Sequence, residues 1–254
     1  MEICQKHLPI GPWADLQHRK LPGLSPITEG EWLLVDDAYT AQMAYRVRLM
    51  QDELDQVHRL SDEARPAADE LLETILAELE TRPDFDVAPA FVRCPDGREV
   101  SVDRSQPLLT CGALVQEDFV LMQKRGGEDE HVLTGAILCF PASWSLGQKF
   151  LKPMTRIHKP VAEYTTDIAR RVQRLFDGVQ VGRPMWRANC LIYADPDLFQ
   201  PRTEEDRRVA TTEGAGWVRV ERQGMRRLPQ TGAVVFSIHT FVVRKSDELG
   251  ESIE

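Results

Sequence analysis

The sequence predicts an α+β protein in which an antiparallel sheet is flanked by helices, and three observations lead to this prediction. Helical apolar spacing dominates the first third of the chain, strand-like runs dominate the rest, and turn-like segments join several of those runs. The 254 residues are 42% hydrophobic and 28% charged, which suffices for a core at the upper size limit of one domain. We therefore expect residues 1–254 to form a single domain.

Three helices are predicted from apolar residues that recur at helical spacing. Their predicted starts are Asp36 or Asp37 for the first, Ser61 for the second, and Thr165 or Thr166 for the third. The apolar residues of these helices are, in chain order, Met43, Val47, Met50, Leu54 and Val57; Leu72, Ile75, Leu76 and Leu79; and Ile168, Val172, Leu175 and Phe176. Each face is wide enough to pack on a sheet.

Six apolar runs in the second half of the chain predict strands. They are LLTCGALV, DFVLMQK, HVLTGAILCF, MWRANCLIYA, GWVRVERQ and GAVVFSIHTFVV. The turn-like segment GGEDE separates the second run from the third, and GMRRLPQTG joins the last two, so we expect neighbouring strands to be antiparallel. Residues 1–23 are expected to be an N-terminal extension, and residues 244–254 a disordered acidic tail.

The charge balance argues against nucleic acid and membranes as partners. With 31 basic and 40 acidic residues, the formal net charge of −9 opposes binding to phosphate backbones and anionic lipids. No apolar run approaches the roughly 20 residues that span a bilayer, and the first residues do not resemble a signal peptide. These features predict a cytoplasmic protein.

Several common chemistries are excluded by the motifs that the sequence lacks. The five cysteines are scattered and include no C-x-x-C pair, which argues against a disulfide framework and against a zinc or cluster site. There is no phosphate-binding G-x-x-x-x-G-K-[ST] loop, no G-x-G-x-x-G turn, no G-x-S-x-G elbow and no H-E-x-x-H helix. A nucleotide kinase, a dinucleotide-dependent dehydrogenase and a zinc protease are therefore not expected.

His158 lies in a segment that restricts its backbone. The run 135–161, GAILCFPASWSLGQKFLKPMTRIHKPV, contains a strand-like piece, a short helix that Ser143 or Ser145 can cap, and His158 between two prolines. A histidine held in this way loses little freedom on binding a transition metal. A satisfied structural histidine is the competing interpretation, and spacing alone does not decide between them.

Polar residues in two of the predicted strands are a second candidate site. In MWRANCLIY the two-residue period places Arg187 and Asn189 on one face. An arginine there is costly to bury unpaired, so Arg187 either reaches solvent or meets a carboxylate. That carboxylate belongs to a ligand or to a structural ion pair with Glu117, Asp118 or Glu221.

Four arginines lie close together in the next strand and its turn: Arg219, Arg222, Arg226 and Arg227. Such a cluster suits an anionic ligand, because guanidinium groups are permanently charged, forked donors. A solvated strand edge explains it equally well. Glu117 and Asp118 open an apolar run on alternate faces, so one of them can point into a cavity and receive a cation, although a solvated pair is the simpler interpretation.

The residues resemble a known family. The segments GALVQEDFVLM, the 135–161 run, RPMWRAN and RVERQGMRRLPQTGAVVFSIHTFV occur in an order that is similar to the haem-dependent oxidative N-demethylase α-subunit-like family. The resemblance begins near Leu24 with GLSPITEGEWLLVDDAYTAQMAYRVRLM and continues to about Val243. It implies a PAS-like α+β domain that binds haem b and uses O2 to remove a methyl group, as formaldehyde, from a small secondary amine such as dimethylamine.

The resemblance also implies roles for individual residues. His158 becomes the expected axial ligand of the haem iron, with Cys139 as its main rival and His239 as a weaker one, because the family usually carries arginine at the latter position. Arg187, Arg222 and Arg226 match arginines of the family and are candidate clamps for the haem propionates.

The remaining implications concern catalysis and partners. Glu117, Asp118 or Glu221 is expected to deliver protons and to attract the cationic amine. Cys190 replaces a residue that is often aromatic in the family, so the resemblance does not determine the shape of the nearby pocket or the substrate. Electrons are expected from NADPH through flavin and iron–sulfur cofactors that belong to partner reductase subunits, because the chain has no nucleotide-binding motif of its own.

Two other functions remain open at this point. A PAS-like fold with histidine-bound haem also suits a sensor or carrier that does not turn over an amine, since fold alone does not determine function. A member that has lost haem and acts as a scaffold is the third hypothesis. The intact RIHKPV and ERQGMRRLP segments argue against it.

Overall fold

The computed structural model describes residues 3–8, 23–124, 126–158, 166–206 and 216–245. Seven α-helices occur in this part of the chain: α1 Tyr39–Asp52, α2 Leu54–Val57, α3 Arg65–Glu80, α4 Pro107–Leu114, α5 Leu146–Lys149, α6 Met154–His158 and α7 Thr166–Gly178. The described strands are β1 Ser25–Pro26, β2 His58–Leu60, β3 Asp86–Val87, β4 Phe91–Arg93, β5 Glu99–Ser101, β6 Asp118–Lys124, β7 His131–Ile137, β8 Met185–Tyr193, β9 Trp217–Arg227 and β10 Val234–Arg244.

Seven of the strands form one antiparallel sheet with the order β1-β8-β9-β10-β6-β7-β2. The long strands β8, β9 and β10 lie side by side, and β6 and β7 extend the sheet. A smaller antiparallel sheet has the order β3-β4-β5. The prediction of an α+β protein with a large antiparallel sheet and several helices is therefore confirmed.

Helices cover both faces of the large sheet. One face, which we call the α6 face, packs against α5, α6 and α7 through a cluster that includes Val120, Met225, Ile238, Met154 and Phe176. The other, which we call the α3 face, packs against α1, α3 and α4 through a larger cluster that includes Phe119, Phe241, Leu72, Ile75 and Trp32. Because side chains alternate along a strand, each strand residue belongs to one of these two layers.

The prediction of a strand at LLTCGALV was wrong. These residues form helix α4, which begins at Pro107 and is buried between α1, α3 and the sheet. A proline is tolerated at the start of a helix, where its missing N–H has no intrahelical partner. A short apolar run shows no periodicity that distinguishes a buried helix from a buried strand, which is why the pattern misled.

The helix after Asp37 was predicted correctly, and its predicted apolar stripe is confirmed at Met43 but not at Leu54. Helix α1 ends at Asp52, and its buried residues include Tyr39, Met43 and Leu49. Leu54, which was assigned to the apolar stripe, lies in α2 and is 43% exposed. The expected disordered tail falls mostly on residues 246–254, outside the described residues, whereas Arg244 is the last residue of β10.

A buried ion pair connects helix α1 to the sheet. Arg46 of α1 and Asp118 of β6 are both fully buried, with 2.7 Å between Arg46 Nη1 and Asp118 Oδ1. The guanidinium also donates to the carbonyl oxygens of Gly112, Gln116 and Glu117. The carboxylate accepts from the backbone N–H groups of two residues that follow β7, Cys139 and Phe140. This network joins α1, α4, β6 and the segment that leads to α5.

We predict that Arg46→Met destabilises the protein by about 3–5 kcal/mol, because it leaves the Asp118 carboxylate buried without its cation. Chemical denaturation measures this loss. Arg48→Met is the matched control, since Arg48 is exposed on the same helix, and it should change the free energy of unfolding by less than about 1 kcal/mol. Equal effects of the two substitutions would contradict the prediction.

Candidate functional site

The short helix α6 presents His158 at its last residue. The segment before it is held on strand β7, where Leu151 N–H donates to the Leu133 carbonyl and Leu133 N–H donates to the Lys152 carbonyl. Leu151 turns the chain with a φ of 58°, and Pro153 forms an isolated bridge with Val132. Helix α6 is thus anchored on the sheet directly before His158.

The ring of His158 is fixed in one tautomer. Its Nδ1 lies 2.9 Å from the Met154 carbonyl oxygen, which can only accept, so Nδ1 carries the proton. The lone pair of the neutral ring is then on Nε2. Burial lowers the pKa of His158; the hydrogen bond to the Met154 carbonyl opposes this in part, and the nearby Lys149 ammonium has a smaller lowering effect. The neutral ring, which is the form that binds metals, is therefore favoured.

Strands β8 and β9 place four polar side chains on the same α6 face. Arg187 pairs in register with Gln223, and Asn189 pairs with Glu221. Arg187 Nη1 donates to Gln223 Oε1 over 3.0 Å, and Asn189 Nδ2 donates to Glu221 Oε2 over 3.0 Å. Gln223 Nε2 also donates to Glu221 Oε2, over 3.1 Å. The prediction that Arg187 and Asn189 point the same way is confirmed.

Lys149 links the helix side of this site to the strand side. It is the last residue of α5, and its Nζ lies 4.5 Å from the centre of the Trp144 ring. Burial lowers the pKa of Lys149 to about 8, although the Glu204 and Glu221 carboxylates act in the opposite direction. Lys149 lies within electrostatic range of both His158 and Glu221. We call His158, Lys149, Arg187, Asn189, Glu221 and Gln223 the α6-face cluster.

Arg222 and Arg226 lie on the opposite side of the sheet. Arg222 pairs with Ala188 and His239, and Arg226 pairs with Val235, which places both on the α3 face. Arg222 donates to the Trp32 carbonyl and lies over the Trp186 ring. Arg226 lies 4.4 Å from the centre of the Trp32 ring and forms an ion pair with Glu78 at 3.2 Å. The structure does not bring these two arginines together with His158.

Glu117 belongs to a second buried network, also on the α3 face. Its Oε1 accepts from His239 Nδ1 over 2.9 Å and from Leu34 N–H over 2.8 Å. The other ring nitrogen of His239 lies 3.0 Å from Asp36 Oδ2. Burial alone would lower the pKa of His239, but the two carboxylates outweigh it and raise the pKa to about 9. His239 is therefore a charged histidine between two carboxylates.

Asp118 and Cys139 are both part of the interior around Arg46. Asp118 is engaged by Arg46 and by two backbone N–H groups. Cys139 is fully buried, and burial raises the pKa of its thiol to about 12 despite the nearby Arg46. A thiolate is the form that binds iron, so this environment disfavours Cys139 as a ligand.

The other histidines have different surroundings. His131 is buried beside Gln173, 2.7 Å from its amide nitrogen, and burial lowers the pKa of His131. Burial also lowers the pKa of His58, which lies in β2. His18 lies outside the described residues, and His7 belongs to the short segment 3–8. None of the histidines in the described ranges other than His158 belongs to the α6-face cluster.

A comparison with known protein families decides the classification. Residues 23–250 match the family described as haem-dependent oxidative N-demethylase, alpha subunit-like. The chain belongs to this family. The resemblance inferred from the sequence motifs is thereby confirmed, and the family description indicates haem dependence and oxidoreductase chemistry.

The α6-face cluster of this N-demethylase family member fits a haem group. His158 offers a neutral imidazole whose Nδ1–H is held by a carbonyl, the arrangement that orients a histidine ligand. Arg187 offers a guanidinium whose Nε is buried and has no hydrogen-bond partner among the described residues. Within the same part of the chain, no three His, Cys, Asp or Glu side chains are grouped to hold a bare metal ion, and no helix is long and apolar enough to cross a membrane.

Two members of the cluster were missed from the sequence. Lys149 precedes His158 by nine positions within the same segment, and Gln223 follows Glu221 on the same strand face. The two-residue period of β9 was sufficient to find Gln223. Lys149 had no comparable signal, because its position depends on the turn at Leu151.

We predict a loss of stability at alkaline pH from His239. Its pKa is raised from 6.5 in the unfolded chain to about 9, so its stabilising effect is full below pH 6.5 and is lost as the pH rises through 9. The wild type should lose on the order of 3 kcal/mol over this range. His239→Gln should lack this loss in denaturation measured at several pH values. Parallel pH profiles of the two proteins would contradict the prediction.

Proposed function

We propose that this chain is the haem-carrying subunit of an oxygen-dependent N-demethylase that acts on a small secondary amine such as dimethylamine. In this proposal the chain forms one PAS-like domain that binds haem b on the α6 face and works in the cytoplasm. The family match supports the haem and the reaction class. The observation that carries the proposal is the single tautomer of His158. This residue ends a helix that packs against the sheet face bearing Arg187 and Glu221.

In this proposal His158 would hold the haem iron, and Arg187 would pair with a haem propionate. The bond from His158 Nδ1 to the Met154 carbonyl leaves the lone pair of the neutral ring on Nε2 and makes the ring more basic. When bound, haem supplies a redox-active iron at which O2 is activated. Burial of Arg187 strengthens its attraction for an anionic group, because little solvent screens the charge.

Glu221 is the carboxylate of the α6-face cluster and is proposed to bind the amine. A secondary amine is a cation near neutral pH, and a buried carboxylate attracts and orients it. Asn189 and Gln223 hold Glu221 by amide N–H groups, so its position is fixed before the substrate arrives. The same carboxylate is suited to transfer protons. Glu117 and Asp118 are hydrogen-bonded to the cations His239 and Arg46, whereas the ion pair of Glu221 with Arg219 is longer, at 3.6 Å, so the proposal gives this role to Glu221.

The electrons come, in this proposal, from partner reductase subunits that carry flavin and an iron–sulfur cluster and oxidise NADPH. The reaction consumes the amine, O2, two electrons and two protons, and it releases the shorter amine, formaldehyde and water. The protons enter through groups such as Glu221, whereas the electrons enter through the cofactor. This chain supplies the haem pocket and the amine site.

We predict that His158→Ala abolishes or strongly weakens haem retention. The purified wild type with added haemin should show the Soret band of histidine-ligated haem and should bind carbon monoxide after reduction. His158→Ala should lose both signals, while His58→Gln, a change at a half-buried histidine in β2, should keep them. Absence of haemin binding by the wild type would contradict the proposed function. Unchanged spectra of His158→Ala would contradict the ligand assignment.

We predict that Glu221→Gln keeps haem but impairs the amine site. The affinity for dimethylamine, measured through the change it causes in the haem spectrum, should fall about 10-fold or more, and formaldehyde release should fall about 100-fold or more. Glu205→Gln changes an exposed carboxylate and should have little effect. A haem-loaded wild type that releases no formaldehyde from any secondary amine when supplied with electrons would indicate the sensor or carrier function instead.

A further inference from the structure

Two cations of the α6-face cluster belong to different elements. Lys149 lies in α5, and Arg187 lies in β8. The Glu221 carboxylate attracts both, but burial has the larger effect and lowers the pKa of each cation. A lowered pKa means that burial destabilises the charged form of the side chain more than its interactions with neighbouring groups stabilise it. An additional anion near these two side chains would therefore be stabilised.

The carboxylates near the two cations already have other partners. Glu221 Oε2 accepts from Asn189 and Gln223, over 3.0 and 3.1 Å. Glu204 forms a bidentate pair with Arg156, over 2.6 and 3.2 Å. Among the described residues, neither Lys149 nor Arg187 has a carboxylate within ion-pair distance. The two carboxylates that act on these cations, Glu221 and Glu204, are thus hydrogen-bonded to other side chains.

The guanidinium of Arg187 is only partly hydrogen-bonded among the described residues. Its Nη1 donates to Gln223, but its buried Nε has no hydrogen-bond partner in the described part of the chain. A buried donor without a partner costs about 1–3 kcal/mol, so such groups usually meet a ligand. Because the group is permanently charged, the ligand that fits best is an anion with oxygen acceptors.

We propose that Lys149 binds a carboxylate of the haem group that His158 holds, and that it does so together with Arg187. This inference rests on the proposed function and adds Lys149 to the haem site. Trp144, beside the Lys149 ammonium, supplies an aromatic surface next to the charge, which suits a ligand with a flat apolar body and carboxylates at one edge.

The charges also divide the site between two ligands. A cationic amine is repelled by Lys149 and attracted by Glu221, whereas a haem carboxylate has the opposite preference. Lys149 therefore belongs to the cofactor and Glu221 to the substrate. Since Lys149 acts electrostatically on the His158 ring, removal of its charge also changes the surroundings of the proposed iron ligand.

The test compares haemin with haemin dimethyl ester, in which both carboxylates are neutral. The full chain is titrated optically with each compound, as wild type, Lys149→Met and Lys149→Arg. Lys149→Met should weaken haemin binding about 10-fold or more but leave the affinity for the ester within about 2-fold of the wild type. Lys149→Arg keeps the charge and should retain most of the haemin affinity.

Lys152→Met is the matched control, because Lys152 is an exposed lysine on the same segment. It should bind both compounds as the wild type does. Equal weakening of haemin and ester by Lys149→Met, or no weakening of either, would overturn the inference and leave the proposed function standing. A wild type that does not bind haemin would overturn both. Thermal unfolding of each variant shows that the comparison is made between folded proteins.

Discussion

The structure depends on the buried ion pair between Arg46 and Asp118. A fully buried pair of charges is tolerated because the remaining hydrogen-bonding positions are occupied by backbone groups. Those groups come from the start of β6 and from the residues after β7, so the pair determines where the chain leaves the sheet. The segment that follows contains Lys149 and His158. The interior around Arg46 therefore positions a site on α5 and α6 without forming part of it.

Strand alternation then separates the polar residues of β8 and β9 into two groups. Arg187, Glu221 and Gln223 lie on the α6 face of the sheet, whereas Arg222 and Arg226 lie on the α3 face, where Arg226 contacts Trp32. On the α3 face the arginines have aromatic rings, a carbonyl and a carboxylate as partners. On the α6 face Arg219 pairs with Glu221 at 3.6 Å, but Lys149 and Arg187 have no carboxylate within ion-pair distance among the described residues. This difference, rather than the number of arginines, identifies the side on which an anionic cofactor is expected.

The sequence predicted much of the fold and part of the site. Apolar periodicity located α1, α3 and α7, and the runs in the second half located β6 to β10, because these elements each bury one continuous face. Apolar periodicity did not predict helix α4, because the apolar run that forms this helix shows no helical spacing. The period of β8 placed Arg187 and Asn189 together, but the partners of Glu117 and Asp118 lie far away in the chain, at His239 and Arg46. Local sequence patterns do not reveal such long-range contacts. They also do not reveal which groups lie near Lys149.

The most direct test of this account is the position of the iron in crystals of the haem-loaded protein, located by its anomalous scattering. The account predicts a peak at coordination distance, about 2 Å, from His158 Nε2 on the α6 face, a typical distance for a metal bound to a histidine nitrogen. A peak beside Cys139, or on the α3 face near Arg222 and Arg226, would contradict the central claim that haem is held between α6 and strands β8 and β9.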